Sequence, residues 1–326
     1  MKLFVTGASG FVGTAVVEVA LARGHDLVRL VRQPDAVARP HVIDVEGDIR
    51  SAASWQHALV GVDAVVHLAA AKSGDFHTQF ATTVLGTETL LAAMRAVGLA
   101  RLVHVSTFSV YDYRAIPVGG VLDEHSPLEA RPLDRDAYAQ TKLVQEQLVR
   151  AFAEHGGEVT IVRPGAVYGP GNLWNAGLAV ALPGGVGLAF APRGRQKLTY
   201  VDNCADAIVL AAERPQAVGA VLNIVDDAPP RQRAFARAQR RQGLAVERSL
   251  PVPYRVAAAF AGILAAANQH FVSGRAKLPG IVVPAQLDAQ FRPLEYTNEA
   301  AHRVLGWRPR YTLDEALARC RATERS

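Results

Sequence analysis

Apolar positions along the first half of the chain follow two alternating rhythms. Short runs that are apolar on both faces occur at Lys2–Val5, Leu27–Val31, Ala64–Leu68, Leu102–Ser106 and Val159–Val162. Between them, apolar residues recur at helical spacing over Val12–Arg23, Ala52–Leu59, Phe80–Val97 and Ala137–Glu154. Strands buried on both faces and joined by helices predict an α/β fold, a doubly wound parallel sheet with right-handed crossovers. Ligands bind such sheets at the carboxyl ends of the strands. Three of those ends carry Gly7, Ala69 and Thr107.

After Pro164 the rhythm loosens, punctuated by Pro170, Pro183, Gly184, Gly185, Pro192 and Gly194. Two further strands read at Lys197–Val201 and Val221–Val225, with a helix over Asn203–Arg214. An arginine-rich helix, an apolar helix at Val256–Ala267 and a last helix from Leu313 follow. The expected organisation is a dinucleotide-binding domain over 1–165 and a smaller C-terminal α/β substrate lobe over 166–326. Some segments of that lobe return to the main sheet. No linker of biased composition separates the two parts.

A chain of 326 residues, half of them hydrophobic and a fifth charged, has globular composition. Its 35 basic and 30 acidic residues leave +5, which an anionic cofactor accounts for without a nucleic-acid partner. Arg231, Arg233, Arg237, Arg240 and Arg241 form the one basic cluster, either a solvated helix face or a contact for an anion. Cys204 and Cys320 share no motif spacing, so no metal site and a reduced, cytoplasmic setting are expected. The longest apolar run is shorter than the roughly 20 residues that span a bilayer. No stable membrane insertion is therefore expected, and the N-terminus, which reads as a strand rather than a charged stretch before a long apolar segment, gives no expectation of a signal peptide. A homodimer is left open.

The chemistry begins with Gly7, Gly10 and Gly13, between the first strand and the first helix. A glycine-rich turn there aims backbone N–H groups and a helix dipole at one point, which suits a dinucleotide pyrophosphate in a Rossmann-type fold. Tyr138 and Lys142 are four residues apart on a predicted helix and share a face. A nearby ammonium lowers a phenol's pKa from about 10, making Tyr138 a candidate proton donor to a carbonyl. Lys142 could also hold the nicotinamide ribose, and Thr107 would orient the substrate oxygen. Together these features point to a nicotinamide-dependent oxidoreductase. An acid at the end of the second strand would select NAD; Arg32 stands there, so NADP(H) is expected over NAD(H), with NAD(H) possible.

The motifs Thr6-Gly-Ala-Ser-Gly-Phe-Val-Gly13, Gly47-Asp48-Ile49, His67-Leu-Ala-Ala70, Val105-Ser-Thr107, Tyr138-x-x-x-Lys142, Arg163-Pro-Gly-Ala-Val-Tyr-Gly169 and Tyr200-Val-Asp202 span most of the chain. It resembles the extended short-chain dehydrogenases/reductases of the NAD-dependent epimerase/dehydratase superfamily. The resemblance implies that Ser9, Phe11 and Val12 join the glycines around the cofactor. It implies that Asp48 and Ile49 flank the adenine, that Leu68, Ala69 and Ala70 line the nicotinamide side, and that Pro164, Ala166 and Val167 cover the nicotinamide. Thr107, Tyr138 and Lys142 would be the catalytic triad. The Asn that the family often carries is Thr83 here.

Sugar dehydratases of this type place Asp-Glu after the strand-end hydroxyl; Phe108-Ser109 stand there instead. The Arg163–Gly171 segment and the Tyr296–Pro309 ending resemble the 3β-hydroxysteroid dehydrogenase branch, and the former also the dihydroflavonol reductases. The apolar segments Leu178–Leu182, Val186–Phe190 and Val256–Ala267 suggest a hydrophobic ketone: a sterol, a polyketide or a β-keto acid. A nucleotide-sugar epimerase/dehydratase is the alternative, and a non-catalytic NAD(P)-sensing protein a further one. His67 and His104 read as packed core histidines, and Asp202-Asn203 as the N-cap of the following helix. Tyr111 and Tyr113 either border the substrate or pack, and Lys72 meets either substrate or solvent.

Overall fold

A computed structural model describes residues 1–173, 180–182, 186–244, 248–272 and 278–325. Its strands are β1 (Lys2–Thr6), β2 (Asp26–Val31), β3 (Val42–Glu46), β4 (Ala64–His67), β5 (Arg101–Val105), β6 (Val121–Leu122), β7 (Glu158–Pro164), β8 (Ala166–Tyr168), β9 (Val180–Leu182), β10 (Val186–Phe190), β11 (Leu198–Tyr200), β12 (Val221–Ile224), β13 (Arg248–Val252) and β14 (Glu295–Tyr296). The helices are α1 (Phe11–Ala22), α2 (Phe76–Phe80), α3 (Gly86–Ala96), α4 (Ala137–Glu154), α5 (Val201–Glu213), α6 (Gln232–Arg241), α7 (Tyr254–Val272), α8 (Pro284–Phe291), α9 (Glu299–Leu305) and α10 (Leu313–Arg325).

Seven strands form one all-parallel sheet in the order β12-β7-β5-β4-β1-β2-β3. One face packs on α1, α5 and α9 through Val16, Val17, Ile208 and Leu305. The other packs on α3, α4 and Trp55 through Phe4, Leu90, Met94 and Val149. Apolar side chains leave both faces of these strands, so water is excluded from both. The doubly wound Rossmann-type sheet is therefore the observed architecture. β12, from the second half of the chain, completes it.

Three local readings change. β3 is an added edge strand, with only Val42, Val45 and the exposed Ile43 as apolar residues, too weak a pattern to mark. Ala52–Leu59 is two short 3₁₀ turns separated by the buried Trp55. The helix expected at Phe80–Val97 is α2, then a π-helical turn at Ala81–Leu85, then α3. The Asp202-Asn203 cap is also corrected. α5 starts earlier, at Val201, and Asn203 is buried with bonds to Asp226 and Tyr311.

Beneath the site, Glu146 on α4 accepts from Ser106 Oγ (2.6 Å) and from the Arg163 guanidinium. Arg163 donates to Tyr111 Oη (2.9 Å), which donates to Asn223 Oδ1 (2.7 Å). This buried chain ties α4, β5, β7 and β12 together. Burial pushes the Glu146 carboxyl up, but its bonds and charge contact with Arg163 outweigh that and leave it below the usual range. Tyr111 and Tyr113 are both buried, in one apolar cluster with Phe108 and Leu294. The five arginines of the basic cluster are all exposed.

Candidate active site

β1 runs into Gly7, whose φ of +71° lies in the left-handed region. A Cβ there would sit 2.8 Å from the Ala69 backbone nitrogen. A Cβ on Gly13 would lie 2.0 Å from the Gly7 carbonyl oxygen. These positions admit no side chain because the first turn of α1 folds back against the β1 and β4 ends. Gly10 caps α1 without a side-chain hydrogen bond, so the helix end presents backbone donors to an anion. Ser9 is exposed, and Phe11 and Val12 are half-buried at the start of α1. Leu68, Ala69 and Ala70 are half-buried beside them, after β4. This cradle fits a dinucleotide pyrophosphate.

At the next strand end, Arg29 bonds Asp44 at 2.7 Å and Asp35 at 2.6 Å. Asp35 and Asp44 are thereby engaged by Arg29, whereas Arg32 is exposed and makes no ion pair among the described residues. Val31 pairs with Glu46, bringing Arg32 beside the Gly47–Ile49 turn. Asp48 is held below the usual carboxylate range by its bonds to Arg50, and Arg32 adds to the effect. Ile49 is buried against Gly86.

The candidate catalytic groups collect at the β5 end. Asp136 caps α4 by accepting from Ala139 N at 2.8 Å, which places Tyr138 in the first turn. Burial pushes the Tyr138 phenol up to about 12, while its hydrogen bond with Thr107 pulls the other way. Thr107 and Tyr138 are therefore together, as the sequence suggests. Lys142 is one turn on, but its ammonium donates to the Val105 carbonyl (2.8 Å) and to Gln145 Oε1. It is not among the groups that move Tyr138, so the lowered phenol pKa expected from the sequence is absent here. Burial drops Lys142 itself to about 7, against the pull of Glu146 and with a smaller push from the exposed Lys72.

Gln145 is the functional candidate the sequence reading misses. It is fully buried, and besides Lys142 it reaches Thr87 Oγ1 (2.7 Å), His67 Nε2 (3.1 Å) and the Thr83 carbonyl (3.4 Å). Its amide thus fixes the lysine to β4 and to the π-helical turn that holds Thr83. A polar residue three after Lys142, on the buried face of α4, was the available signal. His67 is a packed histidine bonded to Thr6 and Thr87. His104 is also packed, but neither ring nitrogen has a partner among the described residues.

Pro164 ends β7, and Ala166 and Val167 open β8. The Ala166 N–H donates to the Lys197 carbonyl at 2.6 Å. Beside this junction lies a cavity of about 420 Å³. Ser109, Asp136 and Ala166 line it, and Phe190, Leu198, Ile281 and Phe291 give it apolar surface. Arg135, Arg195, Lys197 and Arg292 also line it, so its wall is more polar than the apolar segments alone suggest. α7 does not line it. Val256, Phe260, Ile263 and Phe271 of that helix are exposed, and residues 178 and 179 lie outside the described residues. No helix among the described residues is long and apolar enough to cross a membrane.

Residues 3–224 match the model of the NAD dependent epimerase/dehydratase family. The chain belongs to this family. It is an NAD(P)-dependent oxidoreductase of the extended short-chain dehydrogenase/reductase type. Among its relatives is the 4-hydroxy-2-methyl-3-oxo-4-farnesyl-3,4-dihydroquinoline-1-oxide ketoreductase of Stigmatella aurantiaca, 31% identical over 97% of this chain and 95% of that protein. The 3-beta-hydroxysteroid dehydrogenase of Mycolicibacterium neoaurum is 29% identical over 98% of this chain and 90% of its own length. A short-chain dehydrogenase/reductase superfamily structure from Agrobacterium tumefaciens with bound NAD superposes with a TM-score of 0.72 at 21% identity, covering 100% of this chain and 97% of that one. That last likeness is one of fold.

Proposed function

We propose that the protein is an NADP(H)-dependent ketoreductase interconverting a largely hydrophobic ketone and its secondary alcohol. The carrying observation is the hydrogen-bonded Thr107–Tyr138 pair, whose chain neighbours Ser109 and Asp136 line the cavity. The bound nicotinamide would supply the hydride. Thr107 would hold the carbonyl oxygen, and Tyr138 would give it a proton. Lys142, once turned from Val105 towards the ribose and the phenol, would lower the Tyr138 pKa, as an adjacent cation does. Pro164, Ala166 and Val167 would exclude water from the reacting face. Two relatives named for a ketoreductase and a steroid dehydrogenase support this substrate type.

The preference for NADP(H) rests on Arg32, free of the acids that Arg29 engages. A guanidinium suits a 2′-phosphate by charge and shape. Titration should give a lower dissociation constant for NADPH than for NADH; equal or tighter NADH binding refutes the preference. The cations of the cavity favour one second reading, a nucleotide-sugar epimerase/dehydratase. Phe108-Ser109 argue against its dehydratase form, because no carboxylates follow Thr107. Nicotinamide absorbance with a panel of ketones, set against nucleotide sugars, decides between the two.

A further inference from the structure

The cavity wall holds four cations, and three of them have an acid. Arg135 faces Glu129 at 3.5 Å, Arg195 faces Glu295 at 2.5 Å, and Arg292 faces Asp288 at 3.6 Å. Lys197 has none among the described residues. Its ammonium donates to Tyr113 Oη at 2.8 Å and to the Ala289 carbonyl, and sits 4.2 Å from the centre of the Tyr113 ring. An ammonium has three donors, so one is left. An uncompensated cation in a half-buried wall is costly unless something anionic meets it. Arg135 repeats the theme: it is buried in the same wall, and its Nε–H has no partner among the described residues. The one acid of the wall among the described residues, Asp136, is engaged in capping α4.

We propose that Lys197 anchors a carboxylate of the substrate, so that the ketone reduced at Tyr138 is a keto acid with an apolar tail. This rests on the ketoreductase reading and narrows it. Three arginines already carry their own acids, which leaves one cation for one negative charge. That balance fits a carboxylate better than a diphosphate. The Lys197 backbone is also tied to the proposed chemistry, since its carbonyl accepts from Ala166, in the segment that would cover the nicotinamide. Phe190, Leu198, Ile281 and Phe291 supply the surface for the tail. Burial, with Arg135 adding to it, drops Lys197 to about 7. A bound carboxylate reverses that pressure and keeps the lysine charged.

The test compares a medium-chain 3-oxo acid with its methyl ester, the same chain without the charge, using NADPH as the hydride source. The wild type should show a kcat/KM for the acid about 10–100-fold above that for the ester, the scale of a charge-assisted hydrogen bond. In Lys197→Met the acid-to-ester ratio should fall to near one, mainly through KM of the acid. Lys197→Arg should recover part of it. Melting temperature and NADPH affinity, measured on each variant, separate this from misfolding. Equal turnover of acid and ester by the wild type, or an equal loss on both in Lys197→Met, overturns the carboxylate anchor and leaves the ketoreductase standing. Turnover of a nucleotide sugar with neither ketone reduced overturns the ketoreductase reading and the anchor with it.

Discussion

The wall that would face the cofactor and the wall of the substrate cavity are built from different material. On the cofactor side the constraint is backbone against backbone. Gly7 lies against Ala69, and Gly13 lies against the Gly7 carbonyl with no room for a methyl group. On the substrate side it is long side chains held by partners: Arg135 by Glu129, Arg195 by Glu295, Lys197 by Tyr113 and a carbonyl. A backbone wall fixes the residue type at each position, whereas a side-chain wall can be refilled. The first suits a ligand shared by many enzymes and the second a ligand of one.

The largest effect is expected at the proposed reacting pair, Thr107 and Tyr138. Tyr138→Phe keeps the ring and removes the proton. Turnover should fall by about 10²–10⁴-fold, while cofactor affinity, set by the backbone wall, stays within about threefold. Near wild-type turnover would remove Tyr138 from the reaction.

The same contrast governs what could be read in the sequence. Gly7, Gly10 and Gly13 are legible because close backbone approach admits one residue type at a fixed spacing. α4 is legible to the residue because Asp136 caps it and its buried face repeats through Leu143, Val149 and Phe152. β3 is not, since a half-exposed edge strand needs little apolar content. The cavity is not legible either. Arg135, Lys197 and Arg292 are far apart in sequence, and only the packing of α8 brings them to one wall. Nor does spacing reveal that Lys142 bonds Val105 and Gln145, because its direction is set by a polar network spanning α3, α4 and β4.

Gly13→Ala breaks the backbone wall. The added methyl would meet the Gly7 carbonyl at 2.0 Å, so the start of α1 must shift. Overpacking of this kind costs roughly 1–3 kcal/mol. Cofactor affinity should drop about 10–100-fold, read by fluorescence titration. The substrate cavity, formed by other elements, should be unaltered. Unchanged affinity would mean that the helix end does not hold the pyrophosphate.

Gln145→Leu sharpens the link between the walls by removing an acceptor from Lys142 at nearly constant volume. Lys142 also feels Glu146 and Lys72, and the buried His67 and His104 lie close enough to feel it in turn. Losing the amide oxygen favours the neutral amine, so the lysine pKa should fall below about 7. The alkaline limb of the pH–kcat profile should move to lower pH, with kcat down by about tenfold at neutrality, in line with a lost bond to a charged group. Gln145→Glu should move the limb the other way. A uniform loss of kcat across pH, with no shift in either variant, would reduce Gln145 to a packing residue.

The smallest effect on turnover is expected away from both walls, at His104 in the middle of the sheet. The ring is wholly buried, both nitrogens lack partners among the described residues, and it stands 5.6 Å from the His67 ring. Burial, with the charge of Lys142 behind it, holds its pKa well below 6.5, and His67 is held down to about 3. The folded state therefore keeps these rings neutral where the unfolded chain protonates them. They carry no titration penalty above pH 6.5, and the penalty grows, lowering stability, as the pH falls below it. His104→Leu removes an unsatisfied polar ring and one of these proton sinks. At pH 7.5 stability should be unchanged or higher by about 1 kcal/mol. At pH 5 the gain should grow by up to about 2 kcal/mol, since 1.5 pH units at 1.36 kcal/mol each are no longer lost. Chemical denaturation at the two pH values measures both figures. A variant less stable than wild type at pH 5 would mean that His104 has a hydrogen-bonding or charged role inside the sheet.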